Sequence, residues 1–201
     1  MQFAKLISFV FHPIIVPIAS ALLYFILVPN HIPKAFSYRV LGLIFITTYI
    51  LPVILLFFLK KIKLIEDFYL NSINERKFPV TFFIVLSFLI GYLLLKFDII
   101  NLLAISFFAC SLALVVVYIL FFFKIKTSLH ALAIAGQIGF ISVISYEYKN
   151  NLLLLLIVLF LLFGVVATSR LQLKAHNLPE VVLGFFVGFL SQIFMYTYFI
   201  F

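Results

Sequence analysis

Between Ile99 and Phe123 the chain reads IINLLAISFFACSLALVVVYILFFF, interrupted only by uncharged polar residues such as Asn101, Ser106 and Ser111. About 20 such residues cross the roughly 30 Å hydrocarbon layer of a bilayer as one helix, so this stretch alone reads as a membrane span. Working outward, six more apolar runs follow the same rule. The expected spans are Leu6–Val28, Val40–Leu59, Val80–Leu95, Ile99–Phe123, Leu129–Tyr146, Leu152–Ala167 and Val181–Phe201. Closed barrels are the other structure that satisfies every backbone group in lipid. They need period-two alternation, and these runs lack it.

The whole chain agrees with that stretch. Of its 201 residues, 67% are hydrophobic and only 10% charged, against about 25% charged in a soluble domain. Mean hydropathy is +1.34. A water-soluble fold of this length could not hide so much apolar surface, so lipid is the solvent. The expected fold class is an all-α integral membrane protein, a bundle of about seven transmembrane helices. Residues 1–201 form a single transmembrane domain, with no linker or repeat. Lys5 and the apolar run after it could open a signal peptide. That run continues to Val28, longer than a usual signal core, and reads as a first span. The net charge of +8 is scattered over short connections at span ends. That is the pattern of positive-inside topology and snorkelling, and it argues against a nucleic-acid partner. The lone Cys110 excludes an intrachain disulfide and a cysteine-rich metal site.

Seven spans put the connections alternately on two sides. One side (side A) receives the N-terminus, Lys60–Pro79, Lys124–Ser128 and Ser169–Glu180; the other (side B) is short-looped and chemically plain. Side A gathers His130, His176, Arg76, Arg170, Lys124, Lys126, Ser128, Ser169 and several carboxylates. So many titratable groups on one face suggest a site.

Two segments carry the chemistry. In the first, Ser169-Arg170-Leu-Gln-Leu-Lys-Ala-His176-Asn-Leu-Pro-Glu180, His176 and Glu180 stand four apart. A carboxylate bonded to one imidazole nitrogen fixes the tautomer and frees the other nitrogen to attack. Arg170 brings forked donors suited to phosphate oxygens. A structural reading has equal standing: Asn177 and Glu180 fit a capping box with Pro179 in its first turn. In the second, Lys124-Ile-Lys126-Thr-Ser128-Leu-His130, a hydroxyl residue opens a helix. Such an end either simply caps itself or binds an anion with its free N–H groups.

Taken together, these segments resemble the type 2 phosphatidic acid phosphatase superfamily, whose motifs run K-x6-R-P, P-S-G-H and S-R-x5-H-x3-D. The third is matched by Ser169-Arg170, His176 and Glu180, with Glu in place of Asp. The second is matched in part by Thr127-Ser128-Leu129-His130, which keeps Ser and His. The first is degraded to Arg76-Lys-Phe-Pro79, with no Lys seven positions before Arg76. The phosphatase-like core spans about 60–201, and the nearest kin in pattern are bacterial members with relaxed first and second motifs. The resemblance implies His176 as a nucleophile forming a phosphohistidine, Glu180 orienting it, and His130 protonating the leaving group. Arg170, Ser128, Ser169 and Arg76 would hold the phosphoryl oxygens, with Lys126 or Lys124 standing in for the missing lysine. It further implies chemistry without metal or cofactor, and a lipid phosphate or polyprenyl pyrophosphate as the partner within the bilayer. The expected location is a bacterial cytoplasmic (inner) membrane. The lost motif residues also fit a catalytically silent relative, serving as a membrane subunit or lipid-binding partner.

Smaller expectations complete the reading. Pro79 should start the third span if Arg76 serves the site. His12, before Pro13, should bond a carbonyl freed by a kink. Gln137 should bond across helices, and Gly184-x-x-x-Gly188 should bring helices close within the bundle. Glu66, Asp67 and Glu75 should be solvated charges. Side A carries ten Lys and Arg against four on side B. That balance makes side A cytoplasmic, whereas the resemblance favours an extracytoplasmic site.

Overall fold

The computed structural model describes residues 2–28, 32–66, 68, 70, 72–97 and 100–200. Asp67 and Asp98 lie outside these residues, as do Ile99 and Phe201, two of the expected span ends. Among the described residues nine α-helices form: α1 (Gln2–Val10), α2 (Val16–Leu27), α3 (Lys34–Phe45), α4 (Leu51–Lys61), α5 (Ile73–Leu95), α6 (Asn101–Phe122), α7 (Leu129–Glu147), α8 (Leu153–Gln172) and α9 (Leu178–Ile200). They compose seven membrane-length spans, because α1 joins α2 and α3 joins α4. The chain is an all-helical, multi-pass membrane protein.

Local chemistry explains where the helix bounds depart from the expected spans. The first span breaks at His12-Pro13: α1 stops at Val10, and Pro13–Ile15 forms a single 3-10 turn before α2. Pro13 has no N–H to continue the ladder. His12 Nδ1 accepts the Ile14 N–H at 3.3 Å, so the imidazole caps the turn rather than bonding a freed carbonyl. The second span carries a π-turn at Ile46–Ile50, just ahead of Pro52. There the Thr47 and Thr48 hydroxyls donate to the carbonyls of Leu43 and Ile44 at 2.7 and 2.8 Å. The third span starts at Ile73, and Pro79 sits inside it rather than opening it. Ser72 and Glu75 nucleate that earlier start with a reciprocal capping box. Glu75 also accepts the Glu66 N–H at 2.9 Å, so it shapes this connection instead of standing free in solvent.

Two interlocked pairs make the centre. A Cβ at Gly184 would lie 2.7 Å from the Ser128 carbonyl oxygen, and one at Gly188 would overlap that of Leu132. Glycine at these two positions therefore lets α9 lie directly on the α7 backbone. Similarly, a Cβ at Gly91 of α5 would stand 3.1 Å from the Ala104 carbonyl of α6. In the central windows of α6 and α7, 67% of residues are buried, against 22% for the α3–α4 span. That outer span packs on α2 and the turn before it, and makes almost no contact with α5.

Candidate functional site

The glycine contact decides where the site forms. It sets the starts of α7 and α9 side by side on side A, and the Ser128 N–H donates to the Glu180 carbonyl at 3.1 Å. Two positive helix ends thereby point to one region. The connections leading in are launched alike. Lys124 and Lys174 adopt left-handed backbone, φ 59° and 50°. The following residues, Ile125 and Ala175, donate back to Leu120 and Arg170 at 3.0 and 3.2 Å. These are Schellman turns with lysine where glycine is usual.

His176 follows the second of those turns. Its Nδ1 lies 2.6 Å from Glu180 Oε2, and its side chain is 1% exposed. Asn177 caps α9 by accepting the Glu180 N–H at 2.9 Å. Glu180 thus does half of what a capping box asks; its carboxylate has turned to the imidazole. Burial first, and then the charges of Arg76, Arg170 and Lys126, push His176 down to about 3, with the main-chain carbonyl of Lys126 opposing. The ring is therefore neutral at ordinary pH. With Nδ1–H donated to Glu180, its lone pair sits on Nε2.

Around it stand two buried arginines, Arg76 at 5% and Arg170 at 7% exposure. Arg76 is braced by main-chain carbonyls, donating from Nε to Leu70 at 2.8 Å and from a terminal nitrogen to Thr127 at 3.2 Å. Arg170 donates to the Ser8 hydroxyl at 3.2 Å, and its Nε has no partner. Among the described residues, no carboxylate lies within ion-pair distance of either guanidinium. His130 Nε2 lies 3.0 Å from the Ser8 carbonyl. That acceptor makes Nε2 the protonated nitrogen and leaves Nδ1 with the lone pair.

Of the expected site residues, His130, His176, Arg76 and Arg170 line one cavity of about 180 Å³. The others stand aside. The Ser128 hydroxyl accepts the Ala131 N–H at 3.4 Å as a helix cap, and the Ser169 hydroxyl donates to Val165 at 2.8 Å. Lys126 donates to the Ala175 carbonyl at 3.2 Å and, with Lys124 and Glu180, borders a separate groove. Its ammonium pKa is lowered by burial first, then by Arg76. In this arrangement Lys126 fastens the His176 connection instead of facing the cavity. Ser8 and His12 were not expected in the site. Ser8 bonds both His130 and Arg170, and the His12 ring meets His130 edge-on at 5.5 Å. The polar pair Ser8 and His12, one helical turn apart in an apolar run, was the available signal.

Below the cations the cavity descends between apolar walls, including Leu55 and Leu56 of α4 and Val80 and Phe83 of α5. The charged end on side A thus opens into an oily shaft within the membrane. Compared with protein-family models, with curated proteins and with solved structures, the chain matches none.

Proposed function

We propose that this protein is a membrane lipid-phosphate or polyprenyl-pyrophosphate phosphatase of the type 2 phosphatidic acid phosphatase kind, seated in a bacterial cytoplasmic membrane. One observation carries the reading. Two buried arginines, with no carboxylate at ion-pair distance among the described residues, close the side-A end of an apolar cavity, beside an imidazole whose tautomer is fixed by Glu180. Leaving a buried guanidinium unpaired costs several kcal/mol, and an incoming anion removes that cost. A phosphate with hydrocarbon behind it matches both halves of the cavity. In this reading the lipid tails pass between α4 and α5, whose contact is sparse.

In this mechanism Arg76 and Arg170 hold the non-bridging oxygens and draw charge from phosphorus. His176 Nε2 attacks in line, forming a P–N bond as the P–O bond to the lipid breaks. Glu180 stabilises the positive charge that develops on the ring. His130 takes up a second proton on Nδ1 as the anionic phosphate binds, its Nε2–H still held by the Ser8 carbonyl, and gives that proton to the leaving oxygen. Neutral His130 then takes a proton from water, whose oxygen attacks phosphorus. The P–N bond breaks and inorganic phosphate leaves.

Purified protein in mixed micelles should release phosphate from such lipids. His176→Ala should abolish turnover, a loss of roughly 10⁴-fold or more, with folding intact. His130→Ala should slow an alkoxide leaving group by about 10²–10⁴-fold and a pyrophosphate leaving group less, since phosphate needs less protonation to depart. Equal rates in wild type and His176→Ala would exclude the phosphohistidine. Binding without any release would assign the chain to the silent, lipid-binding alternative.

A further inference from the structure

Deeper in the cavity, well below the arginines, four polar side chains from four spans meet: Ser20 (α2), Ser106 (α6), Gln137 (α7) and Gln192 (α9). Three of their groups have partners. The Ser20 hydroxyl donates to Gln137 Oε1, the Ser106 hydroxyl donates to Leu103 at 2.7 Å, and Gln192 Nε2 donates to the Ser106 carbonyl at 3.3 Å. The exception is Gln137 Nε2. Gln137 is 5% exposed and lines the cavity, yet its amide N–H groups have no acceptor. Its Oε1 accepts the Ser20 hydroxyl, and in that orientation Nε2 is left to find its acceptor from the cavity.

A donor left unmade inside a membrane is costly, and persists where a ligand or water supplies the acceptor. Position matters here. Gln137 stands seven residues after His130 on α7, two turns along the same face and about 10 Å down the axis. A saturated or polyprenyl chain offers nothing at that depth. A glycerolipid phosphate does: its ester carbonyls lie roughly 6–9 Å from phosphorus at ordinary bond lengths, within reach of a glutamine amide.

We infer that Gln137 is a specificity-determining residue, a donor in the shaft that reads an acyl-ester carbonyl on the tail side of the phosphate. This rests on the phosphatase reading for the position of the head group. The selectivity belongs to Gln137 itself, with Ser20 fixing the amide's direction. The site therefore selects diacylglycerol phosphates over polyprenyl ones.

The test compares three lipids in mixed micelles: dioleoylglycerol phosphate, its dialkyl ether analogue lacking both carbonyls, and a polyprenyl phosphate. Competitive binding and phosphate release are both measured for wild type and Gln137→Leu. Wild type should bind the ester about 10-fold more tightly than the ether, the scale of one buried hydrogen bond. Gln137→Leu should bring that ratio to within about two-fold through weaker ester binding. Should Gln137→Leu fail to fold, the wild-type ratio together with Ser20→Ala, which unfastens the amide, decides the matter. Equal wild-type binding of ester and ether, or a preference for the polyprenyl lipid, overturns the inference. So does an ester preference unchanged in the variant, or no binding of any of the three. Gln137-dependent ester preference in binding without phosphate release keeps the subsite and removes the phosphatase. Release without ester preference does the reverse.

Discussion

A methyl group added at Gly188 would overlap the Leu132 carbonyl, whereas one added at Gly42 meets nothing within 4 Å. The two glycines mark two kinds of span. Backbone contact between α7 and α9 fixes His130, His176 and Glu180 relative to one another. The α3–α4 span carries a π-turn and packs chiefly on the first span, yet it forms a wall of the cavity with Pro52, Leu55 and Leu56. Rigidity is placed where atoms must meet within tenths of an ångström. The looser wall is placed where hydrocarbon must pass.

Substitutions that exchange these properties should break the contrast, and the largest effect belongs to the glycine seam. Gly188→Leu should prevent assembly of α7 on α9, costing about 4 kcal/mol or more. Little monodisperse protein should then survive size exclusion after extraction. A middle effect concerns charge within the rigid half. His176 is held neutral in the fold, while in an unfolded chain it titrates near 6.5. Falling pH therefore protonates the unfolded state first. Stability should drop between about pH 6.5 and 3 by up to roughly 1.4 kcal/mol per unit. Melting of wild type and His176→Gln across that range should show the steeper slope in wild type. The smallest effect is at the loose wall. Gly42→Ala should raise stability by about 0.5–1 kcal/mol, because the helix gains propensity and nothing is displaced. A melting temperature lowered by Gly42→Ala would mean that α3 packs more tightly than described.

The contrast was only half legible in the sequence. Gly184-x-x-x-Gly188 announced close packing, and the Asn177 cap and the His176–Glu180 spacing were both readable, because each is local. Ser8 was not, since its bond to Arg170 joins positions 162 apart and no local pattern encodes that. Helix ends were blurred because lysine occupies left-handed positions at 63, 124, 149 and 174, where glycine would have signalled a stop. A motif alignment placed Lys126 and Ser128 among the phosphate ligands. Their actual partners are main-chain groups at the ends of neighbouring helices, which spacing alone does not distinguish from an anion. The cavity's deep polar cluster draws one residue from each of four spans, and only the tertiary structure assembles it.

Glu180 leaves a consequence for anyone screening variants of this protein. It holds the third position of α9, where glutamine serves a capping box as well as glutamate. Its N–H is capped by Asn177 whatever side chain it bears. Position 180 is therefore judged by two different examiners. A library sorted by cellular abundance would pass glutamine there, since its amide oxygen still accepts the Nδ1–H of His176. A library sorted by turnover would reject it, since only the carboxylate stabilises an imidazolium. Discordance between two such scores, rather than either score alone, is the signature by which residues like Glu180 can be picked out across the chain.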